Sequence, residues 1–230
     1  MNARQLQIFI RQSFQAEKWA KSVMADVRPE FLLAMSRVRD IVGQLPSEGL
    51  FREADWRRVY LPQVEAAVKP YTDALAQSVV GAMTDAGPDM EVQAINQLKA
   101  VGLIDNSIPP ALLAAPTSAF TRLALTSEVV EGTSLMRLFG LAPGQEPQTT
   151  PPFTRSQVRV INQKVSAGIL AGDTTEAIAK KIAGAVPTPL GAQRITVAKG
   201  TVAHEIEAWA MAIARTGIQD MNRQVSEQVW

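Results

Sequence analysis

Few side chains in this sequence of 230 residues could carry out chemistry. There is no cysteine, which excludes disulfides and thiolate metal sites. A conventional zinc site is not expected either, because His204 is the single histidine. Glu205 and Glu207 follow it, but in a helix only His204 and Glu207 share a face, and two ligands do not make a metal site. We therefore predict no metal ion and no cofactor.

The motifs of common enzyme classes are also missing from the sequence. It contains no Gly-rich phosphate loop, no Gly-x-Ser-x-Gly elbow and no metal-binding histidine pair. With no cysteine, one histidine and scattered carboxylates, nucleophilic or metal catalysis has almost no groups to use. We therefore expect a protein that is not an enzyme.

One pair of arginines lies beside aromatic residues. Arg57 and Arg58 follow Trp56 and precede Tyr60, a combination of charge and rings that occurs in nucleic-acid sites. The alternative is a buried aromatic pair with two arginines in solvent. The sequence leaves both interpretations open.

Charge is distributed unevenly along the chain, although the net charge is only +1. Residues 1–69 carry 11 basic and 8 acidic side chains, residues 70–153 carry 3 and 8, and residues 154–230 carry 9 and 6. The ends are thus mildly basic (+3 each) and the middle is acidic (−5). The basic ends, with Lys180 and Lys181, either contact DNA phosphates or are ordinary solvated helix faces. Two lysines in the last turn of a helix also complement its dipole.

The composition predicts a mainly α fold, because aromatic residues make up only 6% while alanine and the aliphatic residues are abundant. Apolar spacing predicts a first helix from Gln5 to Asp26, ended by Arg28-Pro29, and a second from Pro29 to Gln44. The longest pattern covers residues 53–86. We expect Pro62 and Pro70 to kink it or divide it in two, and Gly87-Pro88 to end it.

The middle of the chain is predicted to be less regular. A helix from Met90 to Val101 is followed by two short helices, around Ala111 and from Thr117 to Thr126. Residues 140–152 hold four prolines and two glycines in thirteen positions, which indicates an extended linker.

Helices resume after this linker. Thr154 is a plausible N-cap, Gly172-Asp173 is a turn before a short helix from Glu176 to Ala183, and residues 184–191 form a loop. A long last helix follows from about Ala192 to Trp230, with Gly200 and Gly217 as its weak points. We therefore expect an elongated helical bundle with a long C-terminal helix and a Pro-rich hinge. Its domains are an N-terminal helical domain (1–139), a linker (140–153) and a C-terminal helical region (154–230).

Two motifs in the C-terminal region occur in a recognisable order. A helix from Gln163, the Gly172 turn and the sequence Glu-Ala-Ile-Ala-Lys-Lys-Ile at 176–182 come first. About thirty residues later come Ala-Ile-Ala-Arg-Thr at 212–216, then Asn222 and an aromatic residue at Trp230. This order resembles the phage Mu F-like, or SPP1 minor head protein, family of head-morphogenesis proteins. The resemblance covers residues 155–230, about a third of the chain.

The resemblance implies a minor structural protein of a tailed-phage head, made in the host cytoplasm and located inside the head or at the portal vertex. The implied partners are the portal or major capsid protein, other copies of the chain and packaged DNA, which some such proteins accompany into the host. Arg215 would contact a carboxylate or phosphate and Thr216 a backbone carbonyl, or both are ordinary helix residues. Asn222 matches the family's asparagine.

The sequence departs from the family in two places. The glutamate that usually follows Arg-Thr is Gly217 here, so any salt bridge or cap that it makes is lost. Family members also usually continue past the aromatic residue, whereas this sequence ends at Trp230, so we expect either a shortened member or a longer tail.

The alternative function is a helical adaptor that binds nucleic acid or a host protein. We expect no secretion signal and no membrane span.

Overall fold

The structure is a computed structural model that describes residues 3–46, 53–100, 124–126, 128–130, 133–141, 150–184 and 197–229. Its helices in chain order are α1 (Ala3–Gly43), α2 (Glu53–Asp55), a π-helical segment (Trp56–Tyr60), α3 (Leu61–Ala100), α4 (Leu135–Leu138), α5 (Pro152–Leu170), α6 (Thr175–Ala183) and α7 (Val202–Val229). Two short strands, β1 (Glu128–Val130) and β2 (Thr133–Ser134), form an antiparallel pair. The prediction of a mainly α helical bundle is confirmed.

The predicted break at Arg28-Pro29 is wrong. Helix α1 continues through Pro29 for 41 residues. An internal proline removes one hydrogen bond and costs about 3 kcal/mol or more. Burial on both sides of Pro29 opposes this cost, because Val23, Val27 and Phe31 are almost fully buried and lie at helical spacing.

Helix α3 likewise passes through Pro70 and through Gly87-Pro88, where the sequence predicted an end. The predicted helix from Met90 is therefore the last part of α3. The apolar side chains before and after the Gly-Pro pair, among them Met83, Ala86, Met90 and Ile95, are all buried. Continuous burial again outweighs the local preference of proline.

The predicted interruption near Pro62 takes the form of a π-helical segment. Proline has no N–H to donate to the carbonyl four residues back, here that of Arg58, and its ring crowds that carbonyl. The helix widens just before Pro62, and the Leu61 N–H donates to the Trp56 carbonyl, five residues back. In a regular α-helix Trp56 and Val64 would point roughly 80° apart. The wider turn brings both to the buried side.

The C-terminal helices agree partly with the sequence prediction. α6 follows the Gly172-Asp173 turn as predicted, and the Thr174 side chain accepts the Ala177 N–H at 3.2 Å as its N-cap. α5 begins at Pro152, before the predicted cap Thr154, which is buried inside the helix. The long last helix α7 begins at Val202, later than predicted, because Gly200 adopts φ +83° in the preceding turn and Thr201 caps the helix by accepting the His204 N–H.

Several predicted segments lie outside the described residues. These are most of the linker (142–149), the loop at 185–191, the start of the predicted last helix (192–196) and the two short middle helices up to residue 123. The short strand pair was not predicted, although Val129, Val130 and Thr133 are β-branched residues that favour strands. Among the described helices, none is long and apolar enough to cross a membrane.

The chain forms two compact units. Unit 1 contains Met1–Asp26, Ala76–Pro143 and Met211–Trp230, and unit 2 contains Val27–Leu75 and Gly144–Ala210. Each unit therefore contains segments from before and after residues 140–153. Neither unit consists of the same residues as a predicted domain. The division at 140–153 stays a prediction.

Each unit has its own apolar core. In unit 1 the buried side chains include Val23 and Met24 of α1, Val79 and Met83 of α3, Leu135, Phe139, Ile213 and Ile218. In unit 2 they include Phe31, Met35, Trp56, Tyr71, Leu75, Phe153, Ile161, Ile178 and Ile206. Paired rings contribute to the core of unit 2, with centroids 5.1 Å apart in Phe31–Tyr71 and 4.8 Å apart in Phe153–Trp209.

Candidate functional site

Of the two aromatic residues beside Arg57 and Arg58, Trp56 belongs to the core of unit 2 and Tyr60 is half-buried. Trp56 is fully buried, its Nε1 donates to Asn162 Oδ1 at 2.6 Å, and its ring stacks on Tyr60 at a centroid distance of 6.1 Å. The two arginines are exposed. The buried indole cannot offer a face to a nucleic-acid base, so the geometry is closer to the alternative, a packed aromatic pair with two arginines in solvent, although only Trp56 of that pair is fully buried. Whether Arg57 and Arg58 contact phosphates stays a prediction.

Lys180 and Lys181 occupy the last turn of α6, where positive charge complements the helix dipole. Both are exposed, and Lys181 pairs with Asp173 in the turn before the helix. This ion pair joins the two ends of α6 on the surface of unit 2. The positions suit the dipole interpretation, and a contact of Lys180 and Lys181 with DNA stays a prediction.

Arg215 makes a carboxylate contact within unit 1. Its Nη2 lies 2.7 Å from Glu17 Oε2, and Lys21 Nζ is 3.5 Å from the other oxygen of Glu17. Of the two predicted partner classes, a carboxylate or a phosphate, a carboxylate is thus present in the chain itself. Because the Arg215 side chain is 42% exposed, this pair contributes at most about 1 kcal/mol to stability.

The other candidates on α7 differ in burial. Thr216 is half-buried and Asn222 is buried. Between them lies Asp220, which is also buried and whose Oδ1 accepts from Arg223 Nε at 3.0 Å and Nη2 at 2.6 Å. Sequence reasoning missed this pair, which an acidic and a basic residue three positions apart on a helix could have indicated.

Gly217 is a close-packing position in unit 1. A Cβ at this residue would lie 2.8 Å from Leu135 Cδ1 and 3.6 Å from Met83 Sδ. The contact with Leu135 is too short for a real Cβ, so any side chain here would require Leu135 to move, whereas the distance to Met83 is an ordinary contact. The sequence predicted a weak point of the last helix here, and the structure shows a buried position packed against Leu135.

A similar contact joins α5 to α6 in unit 2. A Cβ at Gly168 would lie 2.6 Å from Ile178 Cγ1, so the motif helix at 176–182 packs directly on the α5 backbone at this point. The Gly172 turn that joins the two helices has φ +73°, which favours glycine. The residues of the first motif thus build a tight helical hairpin.

Among the described residues, His204 takes no part in a cluster of metal ligands. Its side chain is half-buried, and Glu207 on the same face pairs with Arg28 at 3.1 Å. In the ranges that the structure describes, no group of three or more histidine or acidic side chains is placed to hold a metal ion.

Tyr71 carries a buried phenol in unit 2 with no hydrogen-bond partner among the described residues. Burial, and in second place the negative charge of Glu207, raises the pKa of Tyr71 well above its ordinary value. The folded protein therefore keeps this proton at pH values where the unfolded chain releases it. The contribution of Tyr71 to the free energy of unfolding is therefore fully present below the pKa of the unfolded chain, about 10. This contribution decreases as the pH rises above that value.

We expect the free energy of unfolding to fall above pH 10 by up to about 1.4 kcal/mol per pH unit on account of Tyr71. Tyr71→Phe removes this group and should give a slope that is smaller by that amount. Urea unfolding between pH 9 and pH 11, followed by circular dichroism, measures both slopes. Tyr60→Phe, which removes the other phenol of the chain, is the control. Equal slopes for wild type and Tyr71→Phe would contradict the buried placement.

A groove on unit 2 was not predicted from the sequence. It has a volume of about 410 Å³ and lies between α1 and the start of α3, lined by Arg37, Asp40, Ile41, Gln63, Ala66 and Ala67. The sequence signal for it is the three- to four-residue spacing of its lining residues, which places those of each helix on one face.

Comparison of the chain with protein-family models, with characterised proteins and with solved structures finds no match.

Proposed function

We propose that this chain is a minor structural protein of a tailed-phage head, associated with the portal or the capsid interior. The observation that carries the proposal is the ordered pair of motifs, Glu-Ala-Ile-Ala-Lys-Lys-Ile at 176–182 and Ala-Ile-Ala-Arg-Thr at 212–216, which resembles the Mu F-like head-morphogenesis proteins.

The described geometry supports the proposal in one respect. Contacts within the α5–α6 hairpin account for the residue types of the first motif. Thr174 caps α6, Ile178 packs on Gly168, and Gly172 forms the turn. A helical hairpin built in this way is a rigid element suited to docking on another protein. In the second motif Arg215 already binds Glu17, so its part is to hold α7 to α1 within unit 1.

The proposed partners are the portal or major capsid protein, other copies of the chain, and packaged DNA without sequence preference. The acidic stretch at 70–153 would repel phosphates, so contact with DNA would come from the mildly basic ends. Passage into the host with the genome belongs to the same proposal. The proposal includes no catalytic role for the chain.

Location in the particle tests the proposal. Purified virions should contain the chain, and density for it should surround the portal vertex inside the head in a reconstruction of the intact particle. Absence of the chain from purified virions would overturn the proposal. Tight, salt-sensitive DNA binding by the isolated chain, without dependence on a portal, would favour the helical adaptor instead.

A further inference from the structure

The groove on unit 2 is bordered by two stripes of exposed residues. One stripe follows α1 at Leu33, Arg37, Asp40 and Gln44, and the other runs along the π-helical segment and α3 at Val59, Gln63, Ala66 and Pro70. Both have the three- and four-residue spacing of one helix face. Phe31 contacts Tyr71, while residues 37–41 share the groove with residues 63–67, so the two helices run antiparallel.

The eight residues of the two stripes include two charged and several apolar side chains. Of the eight residues in the two stripes, only Arg37 and Asp40 are charged, and their charges cancel. Leu33 and Val59 are 51% and 44% exposed, and Ala66 is also exposed. Pro70 has no N–H for the Ala66 carbonyl, which therefore lacks its usual intrahelical donor beside the groove.

The two charged residues of the face make little ion-pair contact within the described parts of the chain. Arg37 has no ion-pair partner in the described parts of the chain, and Asp40, whose side chain is 60% exposed, lies 3.5 Å from Arg39 Nη2. Arg37 and Asp40 are three residues apart on the same face. In a two-fold symmetric contact, residue i of one copy meets residue j of the other, and j meets i. Arg37 and Asp40 are therefore complementary to the same two residues of a second copy.

We propose that this face of unit 2, formed by Leu33, Arg37, Asp40, Val59, Gln63 and Ala66, joins two copies of the chain about a two-fold axis. The α1 helices of the two copies cross near residues 38 and 39, with Arg37 of each copy opposite Asp40 of the other. Leu33 and Val59 lie toward the ends of the contact and exclude water there. This surface follows from the described geometry and does not depend on a role in a phage head.

The size of the face determines how tightly two copies associate. Each stripe is about 16 Å long at 1.5 Å per residue, and two helices side by side give roughly 300–400 Å² per copy. Stable complexes bury about 800 Å² per partner. The dimer should therefore be weak and depend on protein concentration.

A charge-exchange series on the full chain tests the proposal by sedimentation velocity between low micromolar and millimolar concentrations. Wild type should pass from monomer to dimer within this range. Arg37→Asp and Asp40→Arg each place like charges opposite one another, and each should raise the dimer dissociation constant about tenfold or more. The double variant Arg37→Asp/Asp40→Arg restores opposite charges and should return the constant to within about threefold of wild type.

Lys180→Asp, the same type of charge change at an exposed residue of α6, is the matched control and should leave the dissociation constant unchanged. Circular dichroism of every variant checks that it is folded. A wild-type chain that stays monomeric at the highest concentration would overturn the proposal. So would single variants that dimerise like wild type, or a double variant as weak as the single ones.

Discussion

Replacing Gly217 by glutamate is expected to lower the free energy of unfolding by more than about 4 kcal/mol, which is enough to unfold many proteins of this size. The change brings two costs together. A Cβ at this position would lie 2.8 Å from Leu135 Cδ1, so the buried Leu135 side chain must move to make room for it. The added side chain would also start from a buried position whose nearest neighbours, Leu135, Met83 and Val79, are all apolar, which disfavours a charge.

Two further variants separate these costs. Gly217→Ala adds the methyl group alone and should cost about 1–3 kcal/mol, because Leu135 must move. Gly81→Ala is the matched control: Gly81 also lies inside a helix, but a Cβ there meets nothing within 4 Å. It should stabilise the protein by about 0.5–1 kcal/mol through helix propensity. Urea unfolding followed by circular dichroism gives all three values. A Gly217→Glu variant within 1 kcal/mol of wild type would show that α7 does not approach α4 this closely.

Trp56→Ala should cost about 3–5 kcal/mol, the second large effect. The indole is fully buried in unit 2, so its removal leaves a cavity beside Tyr60 and takes the donor away from Asn162. The π-helical segment should also change, because burial of Trp56 is what the wider turn achieves.

Trp56→Phe distinguishes the cavity from the hydrogen bond. It keeps a ring in the site but has no Nε1, and we expect a cost of about 1–2 kcal/mol. Val59→Ala, three residues along the same segment but 44% exposed, is the control and should change stability by less than about 0.5 kcal/mol. These values come from denaturant unfolding followed by far-ultraviolet circular dichroism, since a fluorescence signal would change with the tryptophan. Equal losses for Trp56→Ala and Val59→Ala would contradict the buried placement of Trp56.

The mainly α fold and the α6 helix could be predicted because local signals and burial agree there. Thr174, the Gly172 turn and the apolar pair Ile178 and Ile182 all act within a few residues. The continuation of α1 through Pro29 and of α3 through Pro88 could not be predicted, since proline stops a helix only when packing does not compensate for the lost hydrogen bond. The buried residues on both sides of each proline supply that compensation, and their partners are distant in sequence.

The candidate sites were partly accessible to sequence reasoning. A carboxylate partner for Arg215 was predicted as a class, but Glu17 lies almost two hundred residues away and no local pattern identifies it. Gly217 shows the same limit, because a glycine inside a helix marks either a weak point or a close approach, and the neighbouring helix decides which. The contact face at Arg37 and Asp40 depends on which residues stay exposed, a property of the assembled unit.

The π-helical turn at Trp56–Tyr60 has a consequence for how this chain should be compared with relatives. A π-helical turn is equivalent to one extra residue in an otherwise regular helix. A homologue without the turn would need one residue fewer to keep the positions of Trp56 and Val64 on the same side. Any alignment with such a homologue should therefore open a gap of a single residue between Trp56 and Tyr60, while the helix on either side stays in register.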